Sequence, residues 1–93
     1  MVVGVARIRL RIPDSRSLKD KRRVVQSLKK RLHNEFNVSV SEVEAQDNRQ
    51  MAVLGVAQVG SDSRYINGTM DQVVNMIRRC PGAHLIDWEL ESY

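Results

Sequence analysis

From Val2 to Ile12 the chain alternates, with Ala6, Ile8, Leu10 and Ile12 on one side and Val3, Val5, Arg7, Arg9 and Arg11 on the other. A period of two sends successive side chains to opposite faces, which predicts a strand with one basic half-face. Pro13-Asp14-Ser15 breaks it. Ser17 followed by Asp20 then reads as a capping box with Asp in the Glu position, opening a helix at Leu18. The helix is expected to run to about Asn34, with Val24, Val25, Leu28, Leu32 and Phe36 at helical spacing on one core-facing stripe. Lys21 falls inside that stripe. At the first turn its stem is expected to lie on the core while the ammonium reaches water.

Asn37 to Ala45 is rich in valine but slips phase between Val40 and Val43, which predicts a strand with a bulge. Gln46-Asp47-Asn48-Arg49 supplies turn residues, and Gln50 to Val59 is apolar at nearly every position, as a central strand requires. Ser61 or Asp62 caps a second helix carrying Ile66, Met70, Val73, Val74 and Ile77 at three- and four-residue spacing, weakened slightly by Gly68. Cys80-Pro81-Gly82 ends it, and His84 to Tyr93 alternates Ile86, Trp88 and Leu90 against Asp87, Glu89 and Glu91.

The resulting order, βαββαβ, predicts a ferredoxin-like α+β sandwich: two right-handed β-α-β halves, an antiparallel sheet of order 4-1-3-2, and both helices on one face. First and last strands are then neighbours, so Arg7, Arg9 and Arg11 are expected beside Asp87, Glu89 and Glu91 on the face away from the helices. Opposite charges across strands contribute roughly 0.2 to 1 kcal/mol each. In the third strand, either Met51, Val53, Ala57 and Val59 or Ala52, Leu54 and Val56 pack on the helices, and the other set points outward. An apolar strip on the open face predicts a homo-oligomer, with interface candidates Met51, Val53, Leu54, Val56 and Val59. The alternative is a monomer with scattered surface apolar residues.

Size fits this picture. Ninety-three residues (10.6 kDa) form one domain, expected to expose roughly 5,500 Å² of about 15,400 Å² when folded. Composition, 42% hydrophobic and 28% charged, argues against disorder. A single cysteine, Cys80, excludes an internal disulfide and a multi-cysteine zinc site, and points to a reducing compartment, the cytoplasm by default. The longest apolar run, Ala52 to Ala57, is too short to span a bilayer.

Charge is uneven. Residues 1 to 33 hold eleven basic residues against Asp14 and Asp20, a net of +9, and residues 34 to 93 hold four against nine acids, a net of −5. Such asymmetry fits a polyanion-binding face or pairing between the halves. On the first helix Lys19, Arg22, Arg23, Lys29 and Lys30 share an arc away from the core stripe, with Arg16 in the loop before it. This stripe fits phosphate contacts to RNA or a ribonucleoprotein. The plain alternative is a solvated helix face.

Three stretches carry a resemblance: Ser17-Leu18-Lys19-Asp20-Lys21-Arg22, Phe36-Asn37-Val38-Ser39-Val40-Ser41-Glu42-Val43, and Leu54-Gly55-Val56-Ala57 before Ser61-Asp62. Over nearly its whole length the chain resembles the bacterial YlxP-like family, small ferredoxin-like proteins of largely unassigned function. The family is often encoded beside transcription and translation factors, so the resemblance implies an RNA- or ribosome-linked role, and it carries over no catalytic residues. One departure is that an aromatic often follows the acidic residue of the family's central hairpin, whereas Asp47 here precedes Asn48-Arg49-Gln50.

Other chemistry is thinly represented. The only aromatics are Phe36, Tyr65, Trp88 and Tyr93, none in the first or third strand, which disfavours base stacking on the sheet in the manner of an RNA-recognition motif. Ile12-Pro13-Asp14-Ser15-Arg16-Ser17 offers one Arg and a helix N-terminus that can hold an anion but lacks the glycine-rich phosphate cradle of acylphosphatases, which share this topology, so a small acyl- or phosphohydrolase is a remote alternative. His33 and His84 are framed by no carboxylate motif and read as ordinary polar positions. Cys80 closes a helix C-terminus, where the dipole disfavours a thiolate. Arg78 and Arg79 suit the same dipole. Trp88 reads as core. Glu42 and Glu44 read as edge charges that discourage sheet extension rather than as ligands. The sequence therefore predicts a non-enzymatic protein with no cofactor, metal, membrane span or small-molecule ligand. A protein-binding module without nucleic-acid affinity is the second functional expectation.

Overall fold

A computed structural model describes residues 1–93. β1 (Val2–Arg11), α1 (Leu18–Glu35), β2 (Ser39–Glu44), β3 (Met51–Gly60), α2 (Ser63–Arg78) and β4 (His84–Ser92) follow in that order. The strands form one antiparallel sheet, β2-β3-β1-β4, which is the expected ferredoxin-like order.

Alternation along β1 and β3 sets which face is core. Ala6, Ile8 and Leu10 pair in register with Val56, Leu54 and Ala52, and all six side chains are fully buried. Val25, Leu28 and Leu32 of α1 and Ile66, Met70, Val73 and Ile77 of α2 close over the same face, joining one core cluster. The even set of β3 is therefore inward. Leu54 and Val56 belong to this core and not to an oligomer interface, correcting that part of the expectation.

Local chemistry accounts for the helix ends. Ser17 Oγ accepts from Asp20 N at 3.0 Å, and Asp20 Oδ2 accepts from Arg16 N at 3.0 Å, a capping box that reaches one residue further back than usual. Asp62, rather than Ser61, caps α2 by accepting from Arg64 N at 2.8 Å. Gly82 turns the chain after α2 with φ of +86°, a conformation a side chain would strain. Gly4 serves closeness instead: a Cβ there would lie 2.3 Å from Ile66 Cγ2, so its absence lets α2 settle onto β1.

Both edge strands are irregular. The β2 register slips between Glu42 and Glu44, making Val43 the bulged residue the phase slip predicted. A second bulge, at Ile86 of β4, was not expected: Asp87 pairs with Arg9 but Leu85 pairs with Leu10. Leu85 thereby takes the inward place assigned to Ile86, which is exposed, while Trp88 packs half-buried against the core.

Candidate nucleic-acid interface

α1 is buried along one side by Lys21, Val25, Leu28 and Leu32, and the opposite side faces solvent. Arg16, Lys19, Arg22, Arg23 and Lys30 are exposed and Lys29 is half-buried. None of the six has a carboxylate within ion-pair distance. The structure thus brings the expected basic arc together on one helix and its leading loop, with only Asp14 and Asp20 as acids in that third of the chain.

Where the other charges go explains why this face stays positive. On the open sheet face Arg7 pairs with Glu44 and, at 3.8 Å, with Glu89, and Arg9 Nε donates to Asp87 Oδ1 at 2.8 Å. Two of the three predicted cross-strand cations are therefore neutralised. Arg11 is not, because the β1–β4 register sets the three acids opposite Val5, Arg7 and Arg9 and leaves Arg11 opposite His84. Glu44 engages Arg7 and is not a bare edge charge. With Arg7, Arg9 and Lys21 paired, eight cations of residues 1 to 33 stay free against two acids.

Lys21 overturns the sequence expectation most clearly. Its side chain does not reach water: the residue is 0% exposed. Nζ donates to the carbonyls of Ala45 (2.8 Å), Gln46 (3.1 Å) and Met51 (3.1 Å). An ammonium has three donors, so these carbonyls saturate it. Glu42 Oε2 sits 2.8 Å away as the counter-ion and has no hydrogen bond of its own. Glu42, whose side chain is 16% exposed, points to the helix side and is no edge charge either. Lys21 therefore ties α1 to the β2–β3 hairpin. Gln50 Nε2 donates to the carbonyls of Pro13 (3.3 Å) and Ser15 (3.2 Å), fixing the same hairpin to the loop that carries Arg16.

Arg31 was missed by the spacing argument. It lies on the α1 flank facing the end of α2, and its Nη1 donates to Cys80 Sγ at 3.3 Å. Together with Arg23 it borders a shallow groove of about 250 Å³ between the helices, beside the basic arc. Nothing in the one-dimensional pattern signals that Cys80 approaches α1.

The open sheet face divides into two parts. Val5, Val43, Gly55 and Ala57 border an apolar hollow of about 270 Å³, and Val59, 61% exposed, continues it. Of the interface candidates, Val59 is freely available and Met51 is half-buried. Val53 points outward but is only 4% exposed, with Arg9 and Glu44 as its register neighbours. Val5, Val43 and Ala57 were not among the interface candidates, although Val5 was placed on the outward half-face of β1 and Ala57 in one of the two alternative outward sets of β3.

Three further observations bound the chemistry. His33 and His84 are both exposed, and no three His, Cys, Asp or Glu side chains converge as a metal-ligand set. No helix is long and apolar enough to cross a membrane. The phenol of Tyr93 is raised above its ordinary 10.0 because it donates to the Glu91 carboxylate, whose charge also opposes a phenolate; it lies at the sheet edge, outside the basic arc.

Among solved structures, the chain is similar to LarC2, the C-terminal domain of a cyclometallase involved in the synthesis of the NPN cofactor of lactate racemase, in its apo form. That likeness has a TM-score of 0.44 at 12% identity, with all of this chain aligned to 56% of the other. Sequence comparison is closer: the chain is 35% identical over 80 residues to the uncharacterized protein YlxP of Bacillus subtilis (strain 168), covering 86% of this chain and 87% of that one. A family model described as a protein of unknown function (DUF503) matches residues 3–90. The chain belongs to this DUF503 family, in agreement with the YlxP-like resemblance carried by its α1, β2 and β3 motifs.

Proposed function

We propose that this protein is a non-catalytic module of the cytoplasm that binds RNA or a ribonucleoprotein through the basic face of α1 and self-associates through its open sheet face. The observation that carries the first part is the absence of counter-ions: Arg16, Lys19, Arg22, Arg23, Lys29 and Lys30 share one surface with no carboxylate in ion-pair reach. Four of the acids, Glu42, Glu44, Asp87 and Glu89, are engaged elsewhere by Arg7, Arg9 and the buried Lys21. A face of this kind neutralises phosphates and releases counterions, giving salt-sensitive binding without base-specific contacts. Anisotropy of labelled single-stranded, duplex and structured RNA at two salt concentrations tests it. Submillimolar binding that weakens steeply with salt supports the reading, and no binding at low salt overturns it.

The occupant favoured for the open face is a second copy. Four strands about 4.8 Å apart and ten residues at about 3.3 Å give a face of roughly 600 Å². Two such faces bury roughly 1,200 Å², the lower end of what specific interfaces use. The apolar hollow at Val5, Val43 and Ala57 would form the centre, and the Arg7–Glu44 and Arg9–Asp87 pairs its polar border. The same hollow supports the second reading, a module for a protein partner with no nucleic-acid affinity. In that case nucleic acid fails to bind at low salt while the hollow remains the contact surface.

A further inference from the structure

The helix-facing side of β3 runs Ala52, Leu54, Val56 and then Gln58, three fully buried apolar side chains followed by an amide that is only 4% exposed. Its Nε2 donates to the Asn37 carbonyl at 3.3 Å, which fixes the amide's orientation because a carbonyl can only accept. That leaves Oε1 buried with no donor in the protein. A buried acceptor without a partner is costly, and such exceptions to polar satisfaction are rare.

Gln58 lines a cleft of about 340 Å³ between the end of α1 and the first turns of α2. Phe36 and Tyr65 line it, the latter 64% exposed, and Arg64 is among its walls. Gly68 helps keep it open: a Cβ there would meet nothing within 4 Å, although glycine weakens a helix interior. The volume is in the range of small-ligand sites.

We propose that this cleft binds a single nucleobase. The ligand chemistry is set by the walls: a planar heterocycle to lie against Tyr65 or Phe36, an N–H donor for Gln58 Oε1, and an attached phosphate for Arg64. Aromatic faces stack any base, and base edges carry the donors that a buried acceptor selects. The base can come from a free nucleotide or from an unpaired position of an RNA. The second source rests on the α1 reading and the first does not.

The test is a titration of the isotope-labelled full chain, followed by the backbone amides of Tyr65 and Gly68 and the side-chain amide of Gln58. The probes are adenosine, guanosine, cytidine and uridine monophosphates at millimolar concentrations and a short single-stranded RNA. Shifts confined to the cleft, abolished by Gly68→Leu and weakened about tenfold by Gln58→Met, are expected. Shifts with RNA but with no mononucleotide also support the site and assign the base to RNA. RNA that perturbs α1 while neither it nor any mononucleotide moves the cleft amides overturns this inference and spares the α1 reading. Mononucleotide binding in the cleft without RNA binding at α1 does the reverse. Binding unaltered in Gly68→Leu, or no cleft shift with any probe, overturns it. Gly68→Leu meets open space and removes a helix glycine, so it remains folded.

Discussion

Lys21 and Ala45, far apart in sequence, meet through a 2.8 Å hydrogen bond from the buried ammonium to the carbonyl oxygen, at a residue held in the left-handed region with φ of 60°. That conformation turns the Ala45 and Gln46 carbonyls onto one cation, and Glu42 supplies the opposite charge. Lys21→Met would strip three carbonyls of their donor and leave Glu42 without its counter-ion. Breaking a buried pair from one side costs about 3 to 5 kcal/mol, a large part of the about 5 to 15 kcal/mol that holds a small domain together. Denaturant unfolding is expected to show a loss of that size for Lys21→Met. Lys21→Met with Glu42→Leu is expected to recover part of it. A loss below 1 kcal/mol would contradict the buried role of Lys21.

Ala45 itself offers a milder check. A left-handed Cβ costs roughly 1 to 2 kcal/mol, partly offset in the comparison by the greater unfolded entropy of glycine. Ala45→Gly is therefore expected to stabilise the fold by up to about 1 kcal/mol, read as a rise in melting temperature.

Two glycines are expected to respond oppositely to the same change. Gly4→Ala drives a Cβ to 2.3 Å from Ile66 Cγ2, so the α2–β1 seam must open, at about 1 to 3 kcal/mol. Gly68→Ala meets nothing and gains helix propensity, about 0.5 to 1 kcal/mol in the other direction. Thermal melts of the two variants side by side decide the matter.

Self-association is tested where the open face is most accessible. Val43 and Val59 are 46% and 61% exposed, so replacing both with Lys should leave folding nearly unchanged. Sedimentation across a concentration series is expected to show a mass above 10.6 kDa for the wild type and the monomer mass for the double variant. A wild type that stays monomeric throughout contradicts this part of the account.

The fold was legible because its signals were local and mutually consistent. Alternation in β1, the Ser17 cap, the apolar run of β3 and the Cys80-Pro81-Gly82 stop each specified one element, and their order left one reasonable topology. The basic arc was legible for the same reason, since helical spacing alone places Lys19, Arg22, Arg23, Lys29 and Lys30 on one side. What escaped depended on contacts distant in sequence. Lys21 looks like a lysine at the edge of a helix stripe until the hairpin carbonyls close around it. Arg11 has no acidic partner because the register, which only the pairing of β1 with β4 reveals, puts Glu91 opposite Val5. Leu54 and Val56 could not be told from Met51 and Val53 in a strand apolar on both faces. Gln58 did carry a signal, a polar residue in the inward phase of β3, but that phase is readable only once the register with β1 is known.

The most direct test of the central reading is the salt dependence of RNA binding in the wild type and in a variant with Arg22, Arg23, Lys29 and Lys30 replaced by Gln. None of the four is in an ion pair, so the variant is expected to fold with little change in stability. For a single strand each phosphate contact contributes about 0.7 to the slope of log Kd against log salt, so losing four should flatten the slope by close to 3. A slope unchanged by the four substitutions, or wild-type protein that binds no RNA at low salt, would contradict the assignment of α1 as the interface.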